Sequence, residues 1–505
     1  MHNALNPETV PTPASTFAEA ADIDEAIHKT SVSSVIEFHA DRPQQEVLGF
    51  GAALTEASAH VFAQMPEKLQ DEFIWRCFGP AEQGGNAYVL ARVHLQSCDF
   101  ALGNYAYVKP TLPGRDILKT FSIERDKQLL IPFAKVCLAA QPDLKFAAAP
   151  WSPPAFMKTN LNMNRGGKLR PNYYDDWARV LAAAVAAWRN EGVDISWLTA
   201  QNEPGAKQTW DSCLYTAQQE ARFVNDHLRP QLDAAGCGEI QLLAWDHNKE
   251  ALVSRWSDIH NELAGNVDGS DAAVNVVTWD AAPNDAAPAN DRTTDSPFAG
   301  IAFHWYTGDF FDQVRDFRKQ NPRAIMLHTE GCEAFTNGTG NAPANPEHYA
   351  HDIMGDLNAG ANGYIDWNIL LDETGGPNHA GNFCDAPLMY NRSTQELVEN
   401  PTFSYIGQFS RYIKPGARVV PTSIVLADGI ETLGVINPDG SRVLVVMNTG
   451  DEAVNFVVRE VAERDESDRQ GSVQQMLRFE NAVIAHDQVL QAEMQGHAIA
   501  SFIWR

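Results

Sequence analysis

Ser196-Trp-Leu-Thr-Ala-Gln-Asn-Glu-Pro204 begins as an apolar run and ends in a polar cluster. Pro204 can neither continue a helix nor donate to a strand ladder, so an extended segment stops there. Glu203 is left at the tip of that strand, where loops begin. A carboxyl in that place is either a cap for the next element or a catalytic group. One glutamate does not decide between the two; a second carboxyl in an equivalent place would.

The pattern recurs. Apolar runs lie at Leu48–Thr55, Tyr88–Leu95, Lys145–Ser152, Ser196–Glu203, Ile240–Asp246, Gly300–Tyr306, Arg323–Gly331 and Gly363–Asp372. They are continuous rather than alternating, as strands covered on both faces should be. Amphipathic stretches such as Pro66–Phe78, Asp175–Arg189 and Ala217–Ala234 separate most of them. Eight strand–helix units predict an α/β fold, a (β/α)8 TIM barrel, although a doubly wound sheet reads similarly. After about residue 412 the period changes to short β-branched runs at Val419–Leu426, Glu431–Ile436, Arg442–Asn448, Val454–Arg459, Gln474–Phe479 and Ala498–Trp504. Turns such as Asn437-Pro-Asp-Gly440 separate several of them, which predicts an antiparallel β-sandwich. The run at 31–40 has no helical partner and is expected to join it. The expected domains are therefore 1–46, an N-terminal segment lending a strand to the sandwich; 47–410, the catalytic barrel; and 411–505, the C-terminal sandwich. Residues 1–16 are expected to be loose. The segment 265–299, rich in Ala, Asp, Asn and Pro, is read either as a lid over a site or as a surface insertion.

A chain of 505 residues is long enough for a large barrel and a second module. Its net charge of -27 repels phosphate backbones and anionic headgroups, so neither nucleic acid nor a stable membrane association is expected. Residues 1–20 contain no Lys or Arg and no long apolar core, so they do not read as a secretory signal. The seven cysteines are scattered and form no CxxC pair, which points to neither a disulfide framework nor a zinc site. A cytoplasmic protein without cofactor or metal is expected. The oligomeric state stays open.

Barrel sites sit at the C-terminal ends of the strands. Those ends carry Arg92, His94 and Asp99; Trp151; Asn202 and Glu203; His304 and Tyr306; Glu330; then Asp366, Trp367, Asn368 and Asn382. Glu203 and Glu330 hold equivalent places on the fourth and seventh runs. Aromatic faces stack on pyranose rings, Asn, Asp and Arg bond hydroxyls, and two carboxyls are what glycoside hydrolysis requires. At about 5 Å the two carboxylates would repel by about 3 kcal/mol, or ~2 pKa units. The expectation is that Glu203 stays protonated beside an ionised Glu330. His304 and His328 lack the HxH or HExxH spacing of metal ligands. Cys98, Cys332 and Cys384 read as small apolar filler, and no strand-end lysine suits a Schiff base.

These residues resemble glycoside hydrolase family 30, the glucosylceramidase-like retaining β-glycosidases. The resemblance rests on Gly49-Phe-Gly-Ala-Ala-Leu-Thr-Glu56, Ala91–Phe100, Pro150–Asn160, Gln201-Asn-Glu-Pro204, His304-Trp-Tyr306, His328-Thr-Glu-Gly331, Asp366-Trp-Asn368, Gly375-Gly-Pro-Asn378 and Tyr405–Arg418. It implies Glu203 as acid/base and Glu330 as nucleophile, with Asn202 on the sugar 2-hydroxyl. Asp99, Trp151, Trp367 and Asn382 would line the first sugar subsite. Arg92, His304 and Tyr306 would orient the nucleophile, the latter two also counting among the substrate-binding residues. The expected function is a retaining exo-β-glycosidase on a glucoside- or xyloside-type linkage, with a small-molecule glycoside or oligosaccharide as substrate. The alternatives are an endo-β-1,6-glucanase or β-1,6-galactanase of the same family, and a catalytically silent carbohydrate-binding protein. His379 stands where some relatives place tryptophan, on the leaving-group side.

Overall fold

The computed structural model describes residues 16–19, 34–112, 114–265, 296–336, 344–425, 429–463, 482–484 and 488–505. The candidate lid or insertion at 265–299, apart from its first and last few residues, and the expected strand at 474–479 lie outside them. Eight strands close a parallel barrel: β1 (Gly49–Leu54), β2 (Leu90–Leu95), β3 (Lys145–Pro150), β4 (Ile195–Thr199), β5 (Gln241–Asn248), β6 (Phe298–His304), β7 (Ile325–Glu330) and β8 (Gly363–Asn368), with β8 returning to β1. Each coincides with one of the eight apolar runs, and closure removes the doubly wound alternative.

The barrel is filled rather than hollow. Leu90, Ala147, Trp197, Leu243, Ala302, Leu327 and Ile365, one from each strand from β2 to β8, form one buried cluster. Towards the strand ends Ala53, Ala149, Trp151, Trp367 and Leu371 form another. The surrounding helices bury one stripe each; Tyr174–Asn190 turns Trp177, Leu181, Ala184, Val185 and Trp188 inward at helical spacing. The last run divides: β8 ends at Asn368, and Leu370–Asp372 pairs instead with Leu388–Asn391, which pairs with Glu396–Glu399. The loop inside this small sheet carries Asn382 and Cys384.

The barrel register slips where chemistry-bearing side chains leave the strands. Shifts fall between Trp245 and His247 on β5, between Phe303 and His304 on β6, and between Asp366 and Asn368 on β8. A bulge re-aims the side chain beside it. Trp245 and Asp246 take positive φ, 75° and 55°, and Glu203 takes 47°. Left-handed backbone at three non-glycine residues is strain concentrated at one rim.

The chain divides into two units, Val47–Pro415 and one combining the residues before Val47 with Gly416–Arg505. In the second unit, Ser34–Phe38 runs between Thr422–Val425 and Val454–Glu463. Val454–Glu463 also pairs with Gln488–Met494. A second sheet joins Arg418–Val420, Ile430–Ile436, Arg442–Asn448 and Ala498–Trp504. Ile36, Phe38, Leu444, Val446, Phe456 and Phe502 fill the core. Thr16–Glu19, expected to adjoin loose chain, is a strand paired with Gln488–Gln491. Its partner lies at the other end of the sequence, so nothing local marks it. Among the described residues no helix is long and apolar enough to cross a membrane.

Gly300 fixes how closely β6 and β7 approach, since a Cβ there would lie 1.9 Å from the Ile325 carbonyl oxygen. Gly300→Ala has to part the strands that carry His304 and Glu330. We expect a loss of about 1–3 kcal/mol of stability, read from urea unfolding.

Candidate active site

Arg92 on β2 is 1% exposed, and its guanidinium is the centre of the site. It donates to Glu330 Oε2 at 2.5 Å, to Asn202 Oδ1 at 2.7 Å and to Asp246 Oδ2 at 2.9 Å. Its Cζ lies 4.8 Å from the Trp151 ring centroid and 5.6 Å from that of Trp367. Those two rings stack, 5.3 Å apart at 25°. Only a planar, permanently charged fork can serve three acceptors edge-on and two indoles on its face.

The two glutamates differ in their partners. Glu330 at the end of β7 accepts from Arg92 on one oxygen and from the Tyr306 hydroxyl at 3.0 Å on the other. Glu203 faces His304 Nδ1 at 3.3 Å, and Gln208 Nε2 donates to it at 3.0 Å. The other His304 nitrogen, Nε2, faces Asp246 Oδ1 at 3.2 Å. With a carboxylate at each ring nitrogen, both nitrogens act as donors, the hydrogen bonding of an imidazolium. Burial lowers the His304 pKa, but the charge of Glu330 and the bonds to Asp246 and Glu203 push it up to about 9. Burial likewise raises the Glu203 carboxyl, but hydrogen bonding and charge from His304 hold it well below the usual range.

Two sequence expectations change here. Repulsion by Glu330 was expected to raise the Glu203 carboxyl; the imidazole of His304, in direct contact, lowers it instead. His304, expected to orient Glu330 and to bind substrate, is fully buried with both nitrogens taken by Glu203 and Asp246. Tyr306 does reach Glu330, and so does Arg92.

Asp99 and Asn382 complete the polar wall. Asn382 Nδ2 donates to Asp99 Oδ2 at 2.8 Å, while Asp99 Oδ1 and Asn382 Oδ1 are buried without a partner. Burial raises the Asp99 carboxyl to about 7; the Asn382 bond opposes this, and the charge of Glu330 adds to it. Unpaired buried acceptors are costly unless a ligand hydroxyl fills them. Cys332 and Cys384 lie beside the tryptophans with sulfurs 3.2 Å apart, and Tyr306 Oη is 3.5 Å from Cys332 Sγ.

The sequence reading passed over three residues. Asp246 at the end of β5 binds Arg92, His304, Thr199 and Thr329, and its carbonyl accepts from the Glu203 amide. His247 Nδ1 lies 3.7 Å from Glu203, and Gln208 bonds the same carboxylate. The run Trp245-Asp-His-Asn248 is itself a polar strand end, so the rule applied to the other strands would have found Asp246 and His247. Behind Glu330, His328 bonds the Glu330 carbonyl at 2.9 Å through Nε2 and Asp356 at 2.8 Å through Nδ1. Lys249 Nζ lies 2.5 Å from Asp352 and 3.2 Å from Asp356. The side chains of His328, Asp352 and Asp356 are near enough to hold a metal ion, and the Lys249 ammonium bonds both carboxylates.

Hydrolysing a glycosidic bond takes two carboxyl groups and a surface that holds a sugar, and the rim of this barrel offers both. The protein is a glycoside hydrolase. The glycosyl hydrolase family 30 TIM-barrel domain matches residues 47–290 and 271–413, and the family's β-sandwich domain matches 416–502. The chain belongs to glycosyl hydrolase family 30. It is 30% identical to a Caenorhabditis elegans protein assigned as glucosylceramidase 4, over 85% of this chain and 80% of the relative. It is 25% identical to an endo-1,6-β-D-glucanase of Aspergillus fumigatus, over 80% of this chain and 79% of that one. The crystal structure of SrfJ from Salmonella typhimurium superposes with a TM-score of 0.79 at 34% identity, covering 97% of this chain and 95% of SrfJ.

Lys249→Met would leave Asp352 and Asp356 in a dry interior with only His328 to bond them. The expected cost is about 3–5 kcal/mol, measured as a lowered urea midpoint.

Proposed function

We propose that the protein is a retaining exo-β-glycosidase acting on a glucoside- or xyloside-type linkage, with Glu203 as acid/base and Glu330 as nucleophile. The unequal surroundings of the two glutamates carry this reading. Glu330 is fixed by a guanidinium and a phenol, the hydrogen bonding of an oriented carboxylate. Glu203 touches a protonated imidazole, from which it can draw the proton a leaving group needs.

In the first step His304 passes its Nδ1 proton to Glu203. Glu203 protonates the glycosidic oxygen as Glu330 attacks the anomeric carbon. The leaving group departs with the proton, and the sugar stays esterified to Glu330. In the second step Glu203 takes a proton from water, whose oxygen displaces Glu330, and hands that proton back to His304 Nδ1. Two inversions give net retention. Asn202, held by Arg92, would bond the 2-hydroxyl, the stacked tryptophans would face the sugar ring, and Asp99 with Asn382 would take the remaining hydroxyls. The likeness to glucosylceramidases supports exo cleavage; the likeness to the Aspergillus endo-1,6-β-D-glucanase supports an endo mode as the second reading.

Glu203→Gln should lower turnover of aryl β-glucosides about 10²–10⁴-fold, and Glu330→Gln by at least as much. NMR should show the β-anomer as first product; first release of the α-anomer would overturn the retaining mechanism. On a β-1,6-glucan oligosaccharide ladder, products longer than one unit would decide for the endo mode.

The pH profile supplies a second test. A raised His304 pKa means that the proton and its ion pairs are fully present below pH 6.5 and lost as pH climbs through about 9. kcat/KM should therefore fall on that alkaline limb. In His304→Gln protein Glu203 must hold its own proton, so the limb should move towards acid.

A further inference from the structure

We propose that a basic pocket beside Glu203 is an aglycone subsite for an oxyanion, so that the preferred leaving groups carry a carboxylate or a phosphate. The inference rests on the acid/base role proposed for Glu203. A cavity of about 460 Å³ is lined by Asn160, Asn162, Arg165, Lys207, Gln208 and Thr209. Gln208 is the link: it lines the cavity and donates to Glu203 Oε2 at 3.0 Å. Whatever fills the cavity lies on the side where Glu203 would protonate the departing oxygen.

The charge there is out of keeping with the molecule. The chain carries a net charge of -27, yet Arg165 and Lys207, both exposed, line this wall, and neither has a carboxylate partner among the described residues. The lining of the cavity holds two cations and no carboxylate. Leaving both unpaired suits a ligand that brings its own negative charge.

The pocket is also built rather than draped. It joins the loop after β3 to the loop after β4. Buried Lys158 ties them, donating to Ser152 Oγ at 2.9 Å, the Met163 carbonyl at 2.8 Å and the Ser212 carbonyl at 2.5 Å. Backbone bonds from Arg165 to Trp210, from Ser212 to Met163 and from Leu214 to Gly167 zip the loops together. Arg165 itself holds φ at 65°, and Leu161 at 51°, conformations that cost energy for side chains of this kind. A Cβ on Gly166 would lie 2.9 Å from Lys207 Cγ, so the glycine lets the backbone seat the lysine stem. Asn160 donates its amide to the carbonyls of Asn164, Arg165 and Gly166, shaping the turn that presents Arg165.

The test compares three β-glucosides that differ in the charge on the phenolic leaving group: those of 4-hydroxybenzoate, 4-hydroxyphenyl phosphate and 4-hydroxybenzamide. On wild type, kcat/KM for at least one anionic glucoside should exceed that for the amide about tenfold, mainly through KM. The ratio should shrink at high salt and approach 1 in Arg165→Gln/Lys207→Gln protein. Lys207→Arg should preserve it. Whichever anion shows the preference identifies the source, carboxylate or phosphate. The same comparison is made as a ratio of Kd values on Glu330→Gln protein by calorimetry. If wild type cleaves none of the three, the exo-glycosidase reading falls, while the Kd ratio still decides the anion subsite. A ratio of 1 or below in the protein with both cations, or a preference the double variant retains, overturns the proposal.

Discussion

A guanidinium sealed from water has to be neutralised where it sits. Arg92 cannot give up its proton, so its burial forces anions onto it, and Glu330 and Asp246 are those anions. Through them and Asn202 one side chain of β2 ties together the ends of β4, β5 and β7. Asp246 then extends the tie to β6 through His304. The order of the site is therefore electrostatic first and geometric second. Removing one acid would strand a charge and also loosen the strand ends that aim the rest.

The local strain serves the same arrangement. Glu203 and Asp246 both sit in left-handed backbone, and the Glu203 amide bonds the Asp246 carbonyl. Neither residue is a glycine, so each conformation is held by its surroundings. The register slips on β5 and β6 do the complementary work, turning Asp246 and His304 until imidazole and carboxylate meet. Regular strands would present alternate residues to the lumen and could not bring these partners together.

That distinction explains what could be read from the sequence. Unbroken apolar runs ending in polar residues identified the barrel strands and placed Arg92, Glu203 and Glu330 at one rim, because strand length and a rule about strand ends are local. The pairing of His304 was not local. It depends on bulges that leave no mark in composition, so the contact that lowers the Glu203 carboxyl was not foreseen. Lys249, His328, Asp352 and Asp356 come from β7, from the segment after β5 and from the helix Ala344–Ala359; only the folded chain shows that they form one ionic group. Asp246 was legible and was missed.

The sandwich places Ser34–Phe38 between Thr422–Val425 and Val454–Glu463, with Ile36 opposite Ile424. A ribosome therefore makes this strand long before it makes either neighbour. At roughly 5–20 residues per second the interval is about 20–80 s. During that time the barrel sequence emerges and can fold, while an apolar segment with both edges open hangs from its front. The first described unit to be started is thus the last to be finished, and the nascent chain spends most of its synthesis with this strand unpaired on both sides.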